Sequence, residues 1–233
     1  MLKRTLEKYI QETKTKDFKF DNNLSSAVLF SFFLQKIVSL LKGLKFYHFS
    51  KRGKFLFFGT SVKLFNRNNM QFGNNINIQD YVKLSALGKD KLLLGNNVNI
   101  GSFSQVIIST SFNNLGEFIR IGNNVGIGEF SYIGGGGGTT IGDDTIIGQY
   151  FSTHPENHNF LDSNFLIREQ GVTRKGIVIG RNCWIGSKVA ILDGVTIGNN
   201  CVVAAGSVVT KSFDNGLVIG GVPAKVIKKI GDA

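Results

Sequence analysis

Three histidines, two cysteines, two prolines and one tryptophan are all that the 233 residues hold of those types. Two cysteines cannot build a disulfide framework. Two prolines beside 29 glycines point away from a disordered linker and toward repeated tight corners. Only His154 and His158 remain beyond His48, short of the three ligands of a tri-histidine metal site. No long apolar run is uninterrupted either. The most apolar stretch, AVLFSFFLQKIVSLLKGL at 27–44, carries Gln35 and Lys36 near its centre. A clean membrane span needs about 20 mostly apolar residues in a row. Met1 to Thr15 is polar and charged, which does not match a cleavable signal peptide.

Acidic residues are also scarce, and unevenly so. Residues 1–66 hold 13 Lys/Arg against 4 Asp/Glu, a net charge of +9. Residues 67–233 hold 14 against 12, a net of +2. The basicity therefore belongs to the N-terminal part. It fits nucleic acid, an anionic membrane surface, or a merely solvated basic face. The helix expected over 27–44, followed by the basic run KFYHFSKRGK at 45–54, fits a membrane-interface helix or a helix packed on a partner subunit.

What is abundant is a period of six. From about residue 72 an aliphatic residue, often followed by Gly, returns every six residues. The clearest run is Ile179-Gly180, Ile185-Gly186, Ile191, Ile197-Gly198, Val203, Val209. Earlier runs pass through Ile121, Ile127, Ile133, Ile141, Ile147 and Thr153. Six is neither a helix face nor a hairpin alternation. It fits short strands joined by corners and wound into coils of three faces, with the aliphatic residue inward and Gly turning the corner. About six coils are expected, roughly 29 Å of stacked strands. Cys183 and Cys201, 18 residues apart, fall at one face position on adjacent coils and read as unpaired ladder residues.

Three places break the period. Gly134 to Gly138 insert extra residues, SFNNLGEF at 111–118 forms a bulge, and Thr153 to Ile179 spans 26 residues where six are expected. Both late histidines, in THPENHNF, begin that longest extrusion. Long loops on rigid scaffolds commonly carry function. The glycine run leaves room for a bulky glycan, but it is no phosphate-binding loop, because no GK[ST] follows and no helix opens there.

The run IGRNCWIGSKVAILDGVTIGNNCVVAAGSVVTK at 179–211 closely resembles the hexapeptide-repeat acetyltransferases, in particular the galactoside, maltose and bacterial polysaccharide O-acetyltransferases. The resemblance implies an all-β, left-handed parallel β-helix over 67–211 with an extruded loop at 154–178. A C-terminal cap at 212–233 and a basic, partly helical extension at 1–66 flank it. It also implies acetyl-CoA as cosubstrate without a metal, a sugar or glycan acceptor, and a homotrimer with sites between subunits.

Site residues follow from the same resemblance. The Thr-His-Pro context matches His154 to the catalytic histidine of the galactoside branch. The ungapped register, five residues past the third inward position of the coil, matches His158, and Asn-His-Asn-Phe resembles the polysaccharide branch. His158 is taken as the general base, with His154 as its companion. Glu156, Asp162 or a backbone carbonyl would fix its tautomer. Ser187 and Ala205 match backbone contacts to the thioester and pantetheine. Thr210, Lys211 and Lys228 match the adenine and phosphate end, and Trp184 flanks the groove. An acceptor-contacting Asn of the galactoside branch is Gly128 here, so Glu129, Ser131 or Tyr132 must serve instead.

The adopted reading is O-acetyl transfer to a sugar or surface polysaccharide by a cytoplasmic enzyme. Residues 1–58 would give peripheral contact with the inner face of the membrane. N-acetyl transfer to an amino sugar and a non-catalytic β-helix scaffold are the alternatives. Nucleic acid, supported by the basic N-terminus alone, is not adopted as a partner.

Overall fold

The structure, a computed structural model, describes residues 3, 7, 8, 11, 17–44 and 51–232. His48 and most of the first sixteen residues lie outside that set. The helix α1 (Ser26–Leu44) leads into a prism of three sheets, A, B and C, with seven, nine and seven strands. Every pairing within the prism is parallel except the last, where Ala224–Lys229 folds back antiparallel on Leu217–Gly221. Each turn of the chain lays one short strand in each sheet. The first uses Lys51–Arg52, Leu56–Phe58 and Lys63–Phe65. The seventh uses Thr196–Ile197, Val202–Val203 and Val208–Val209. Seven layers at the usual strand spacing make a prism about 34 Å tall.

The six-residue period sets the core. Ile78, Ile100, Ile127, Ile147, Ile185 and Val203 stack inward from sheet B, and all are buried. Burying an aliphatic side chain of this size contributes about 1.5–3 kcal/mol, and the repeat supplies one per face per coil. Thr153 replaces an aliphatic residue in the sheet C column. Its hydroxyl accepts a hydrogen bond from the Gly134 amide at 3.0 Å, which keeps the buried oxygen satisfied.

Two expectations are corrected here. The stacked coils begin at Lys51, not near residue 67, and number seven rather than six. The first coil lacks the aliphatic-Gly signature: Leu56 and Phe58 fill its core. The glycines also act differently from the expectation. Those after the inward residues do not take the left-handed conformation. That falls two residues later, on Asn75, Asn97, Asn124, Asp144, Asn182 and Asn200 at the A–B corner, with φ between 53° and 60°. Asn and Asp tolerate it best among side-chain-bearing residues. The corner glycines are needed for close approach. A Cβ on Gly95 would lie 2.6 Å from the backbone carbonyl carbon of Gly122 in the next coil.

Side-chain ladders run up the corners. The Asn74 amide donates to Asn96 Oδ1 and the Asn96 amide to Asn123 Oδ1, each at 2.8 Å. At the B–C corner Tyr81, Phe103, Phe130 and Tyr150 stack with ring centroids 5.0, 5.0 and 5.1 Å apart. Cys183 and Cys201 are both free and buried.

Candidate active site

The two period-breaking loops meet over the five glycines. A Cβ on Gly135 would come within 2.9 Å of the Phe118 carbonyl oxygen from one loop, and one on Gly136 within 2.5 Å of Glu156 Oε2 from the other. The run therefore admits two loops at close quarters, rather than standing open as the sequence reading expected. Beside it lies a cleft of about 280 Å³. Gly134 to Gly136, Ser109 to Ser111, Tyr132, His154, Glu156, His158 and Arg174 are among its lining residues.

His154 ends the strand Ser152–His154, directly after the buried Thr153. Its Nε2 lies 3.1 Å from Ser152 Oγ, and its ring stacks on Tyr132 with centroids 6.3 Å apart. His158 sits further out, in a short hairpin of Asn157–His158 against Val172–Thr173, where it pairs with Val172. It lines the cleft and also a second, more open depression walled by Phe160, Leu161, Phe165 and Gln170. His158 is thus a wall shared by two depressions. Burial, with a smaller push from Glu156, holds the Tyr132 phenol above its ordinary range.

Neither expected acidic partner reaches His158. Glu156 Oε2 instead accepts from Arg174 Nε at 3.0 Å. Asp162 Oδ1 accepts from the Asn164 amide at 2.9 Å. Arg174 was not legible as a site residue. It also donates from Nη1 to Asn114 Oδ1 and to the Leu115 carbonyl, both at 2.9 Å, and so joins the two loops. Of the three substitutes for the acceptor Asn, Tyr132 lines the cleft. Ser131 is buried and donates to the Gly128 carbonyl at 2.8 Å, and Glu129 lies on the B–C corner away from the cleft.

The residues expected to meet the cosubstrate stand elsewhere. Ser187 and Ala205 follow the inward Ile185 and Val203 on successive coils at the B–C corner. The Ser187 hydroxyl donates to Gln149 Oε1 at 2.8 Å. Thr210 and Lys211 follow the last strand of sheet C, with Lys211 Nζ 5.7 Å from the Phe213 ring centroid. Lys228 projects from the terminal strand, and Trp184 stands 60% exposed on sheet B. None of these six lines the histidine cleft. Within one chain, sheet C separates the cleft from the Ser187–Ala205 corner. Among the described residues, no group of three or more His, Cys, Asp or Glu could hold a metal ion.

Comparison with known proteins agrees with this architecture. Residues 176–211 match the family model "Bacterial transferase hexapeptide (six repeats)". The chain is 34% identical over 171 residues to WbbJ of Escherichia coli, whose name assigns it provisionally as a lipopolysaccharide biosynthesis O-acetyl transferase. That alignment covers 70% of this chain and 74% of WbbJ. The chain belongs to the hexapeptide-repeat acetyltransferase family, and its prism is the left-handed parallel β-helix of that family.

A second relative, the galactoside O-acetyltransferase of Escherichia coli, is 42% identical over 98 residues. Those residues are 40% of this chain and 45% of the relative, so the chain spans under half of that protein. Among solved structures, a mutant of AntD, an N-acyltransferase from Bacillus cereus, was crystallised with dTDP-4-amino-4,6-dideoxyglucose and coenzyme A. It superposes with a TM-score of 0.56 at 21% identity, over 82% of this chain and 88% of its own, a likeness of fold.

Proposed function

We propose that the protein is an acetyl-CoA-dependent O-acetyltransferase that acetylates a hydroxyl of a sugar or bacterial surface glycan, with His158 as general base. The observation that carries this reading is the position of His158 on the wall between two depressions in the one long extrusion of the prism. A neutral imidazole there takes the acceptor's proton as its oxygen attacks the thioester carbonyl. The carbon–sulfur bond breaks, the imidazolium returns its proton to the departing sulfur, and coenzyme A leaves as the thiol. No covalent enzyme intermediate is needed. His154, held by Ser152 and Tyr132, orients the acceptor.

The name of WbbJ, the relative aligned over most of its length, supports oxygen rather than nitrogen as the acceptor atom. Ser187, Ala205, Thr210, Lys211, Lys228 and Trp184 form the donor groove. Their separation from the histidine cleft within one chain supports a homotrimer in which a neighbouring subunit supplies them. Two exposed lysines suit the phosphates of coenzyme A. The enzyme works in the cytoplasm at the inner face of the membrane, where lipid-linked glycans are assembled, with residues 1–58 giving peripheral contact.

The test is release of free thiol from acetyl-CoA with a panel of sugars and oligosaccharides. His158→Ala should lower turnover by about 10²–10⁴-fold while coenzyme A binding persists. An inactive His154→Ala beside an active His158→Ala would move the base to His154. Mild alkali should remove the product's acetyl group; an alkali-stable amide would replace oxygen by nitrogen. Failure of the wild type to bind coenzyme A would leave the scaffold reading.

A further inference from the structure

Helix α1 has three distinct faces. Leu29, Phe33, Lys36, Leu40 and Gly43 recur at helical spacing, and each is buried or half-buried. This face packs along the first strand of sheet B: a Cβ on Gly43 would run into the Leu56 carbonyl oxygen. Lys36 points the same way, with Nζ 3.1 Å from Asn77 Oδ1 and 5.3 Å from the Phe57 ring centroid. A polar stripe carries Ser31, Gln35 and Lys42, whose Nζ donates to Thr60 Oγ1 at 2.9 Å. The third face is apolar and exposed. Phe30, Leu34, Ile37, Val38, Leu41 and Leu44 stand between 44% and 59% exposed along one flank of the helix, while Val28 and Phe32 are exposed outside it.

We infer that this flank lies in the plane of an anionic lipid surface, with the prism resting against the headgroups. The inference deepens the membrane-contact part of the proposed function and needs no catalysis. The helix is long and apolar enough to cross a membrane by composition alone. Its docked inner face and polar stripe oppose that: a spanning helix would have to surrender the Lys36 and Lys42 contacts and carry both ammonium groups into hydrocarbon. An in-plane helix keeps them and buries only the free flank, about 5–10 Å deep.

A second copy of this chain could also cover an apolar flank. Charge favours lipid. Residues 1–66 carry a net of +9. Two copies joined through this region would bring like charge together, whereas an anionic bilayer neutralises it.

The experiment uses the full chain sedimented with phosphatidylcholine vesicles, with and without about 30% phosphatidylglycerol. The wild type should bind the anionic vesicles and bind less at high salt. The variant Leu34→Asn/Ile37→Asn/Leu41→Asn should bind at least about tenfold more weakly, with an unchanged melting temperature. A second variant, Leu34→Trp, should show a blue-shifted emission on anionic vesicles relative to the parent, whose one tryptophan is Trp184. Equal binding by wild type and triple variant, no binding by the wild type, or no shift of the new tryptophan overturns the inference. A smaller oligomer for the triple variant by light scattering without vesicles also overturns it, and assigns the flank to a second copy. All these readouts are independent of acetyl-CoA, so they stand or fall apart from the transfer reaction.

Discussion

Arg174 donates from Nε to Glu156 Oε2 at 3.0 Å, and the rest of its guanidinium reaches the other loop at Asn114 and Leu115. The Arg174 side chain is 17% exposed, far less than those of Lys89 and Arg120, at 57% and 48%. One residue thus holds together two insertions that lie far apart in the chain. His158 pairs in the same hairpin, two positions from Arg174.

Replacing Arg174 by Ala should release the hairpin without unfolding the prism. We expect turnover to fall about ten- to a hundredfold, because small displacements of a catalytic group are costly. The KM for acetyl-CoA should stay nearly constant. Steady-state kinetics and hydrogen exchange over 155–176 check both, and unchanged exchange in that segment would contradict the clamp.

Two glycines separate close approach from open space. Gly95→Ala pushes a methyl group onto the Gly122 backbone and should cost about 1–3 kcal/mol or more. Gly126→Ala meets nothing within 4 Å and lies outside the left-handed region. It should leave stability unchanged or raise it by about 0.4–1 kcal/mol. Urea unfolding of the two variants measures the contrast.

The stacked rings at the B–C corner contribute through each other. Phe103 lies between Tyr81 and Phe130. Phe103→Ala removes two ring contacts and should cost about 1–3 kcal/mol. Phe130→Ala should cost a similar amount, and the double variant less than the sum, because the Phe103–Phe130 contact is lost only once. Strict additivity would show that the rings do not interact.

Burial pushes the Cys183 thiol above its ordinary range. Its folded value is therefore higher than its unfolded one. The associated stability is complete below the unfolded thiol value and is lost as pH rises through the folded one. Cys183→Ala should flatten the alkaline fall in stability relative to wild type. Cys183 and Cys201 are both buried, so an aromatic disulfide reagent should find no native thiol quickly. Rapid labelling of the folded protein would contradict this burial. Slow labelling also means that thiol release reports coenzyme A rather than the protein.

The repeat itself was legible from residue order. A period of six demands three flat faces per turn, and the inward columns through Ile127, Ile147 and Ile185 follow from it directly. The histidine-bearing loop was legible as a broken period. The first coil was not, because Leu56, Phe58 and Leu64 fill the core without the Ile-Gly pattern, inside a segment whose charge drew attention first. The role of the glycines was misread for a related reason: a sequence shows which residue has no side chain, but not which neighbouring coil comes too close.

Residue order alone settled the period and the inward core columns, since both depend on spacing along the chain; His158 as candidate base came from the family resemblance. Tertiary structure decided what Arg174 joins, why five glycines stand beside His154, and which flank of α1 is left bare. Those depend on contacts between segments tens of residues apart. The distance from Arg174 to Asn114, 60 residues in sequence and 2.9 Å in space, is set only when the coils between them have stacked.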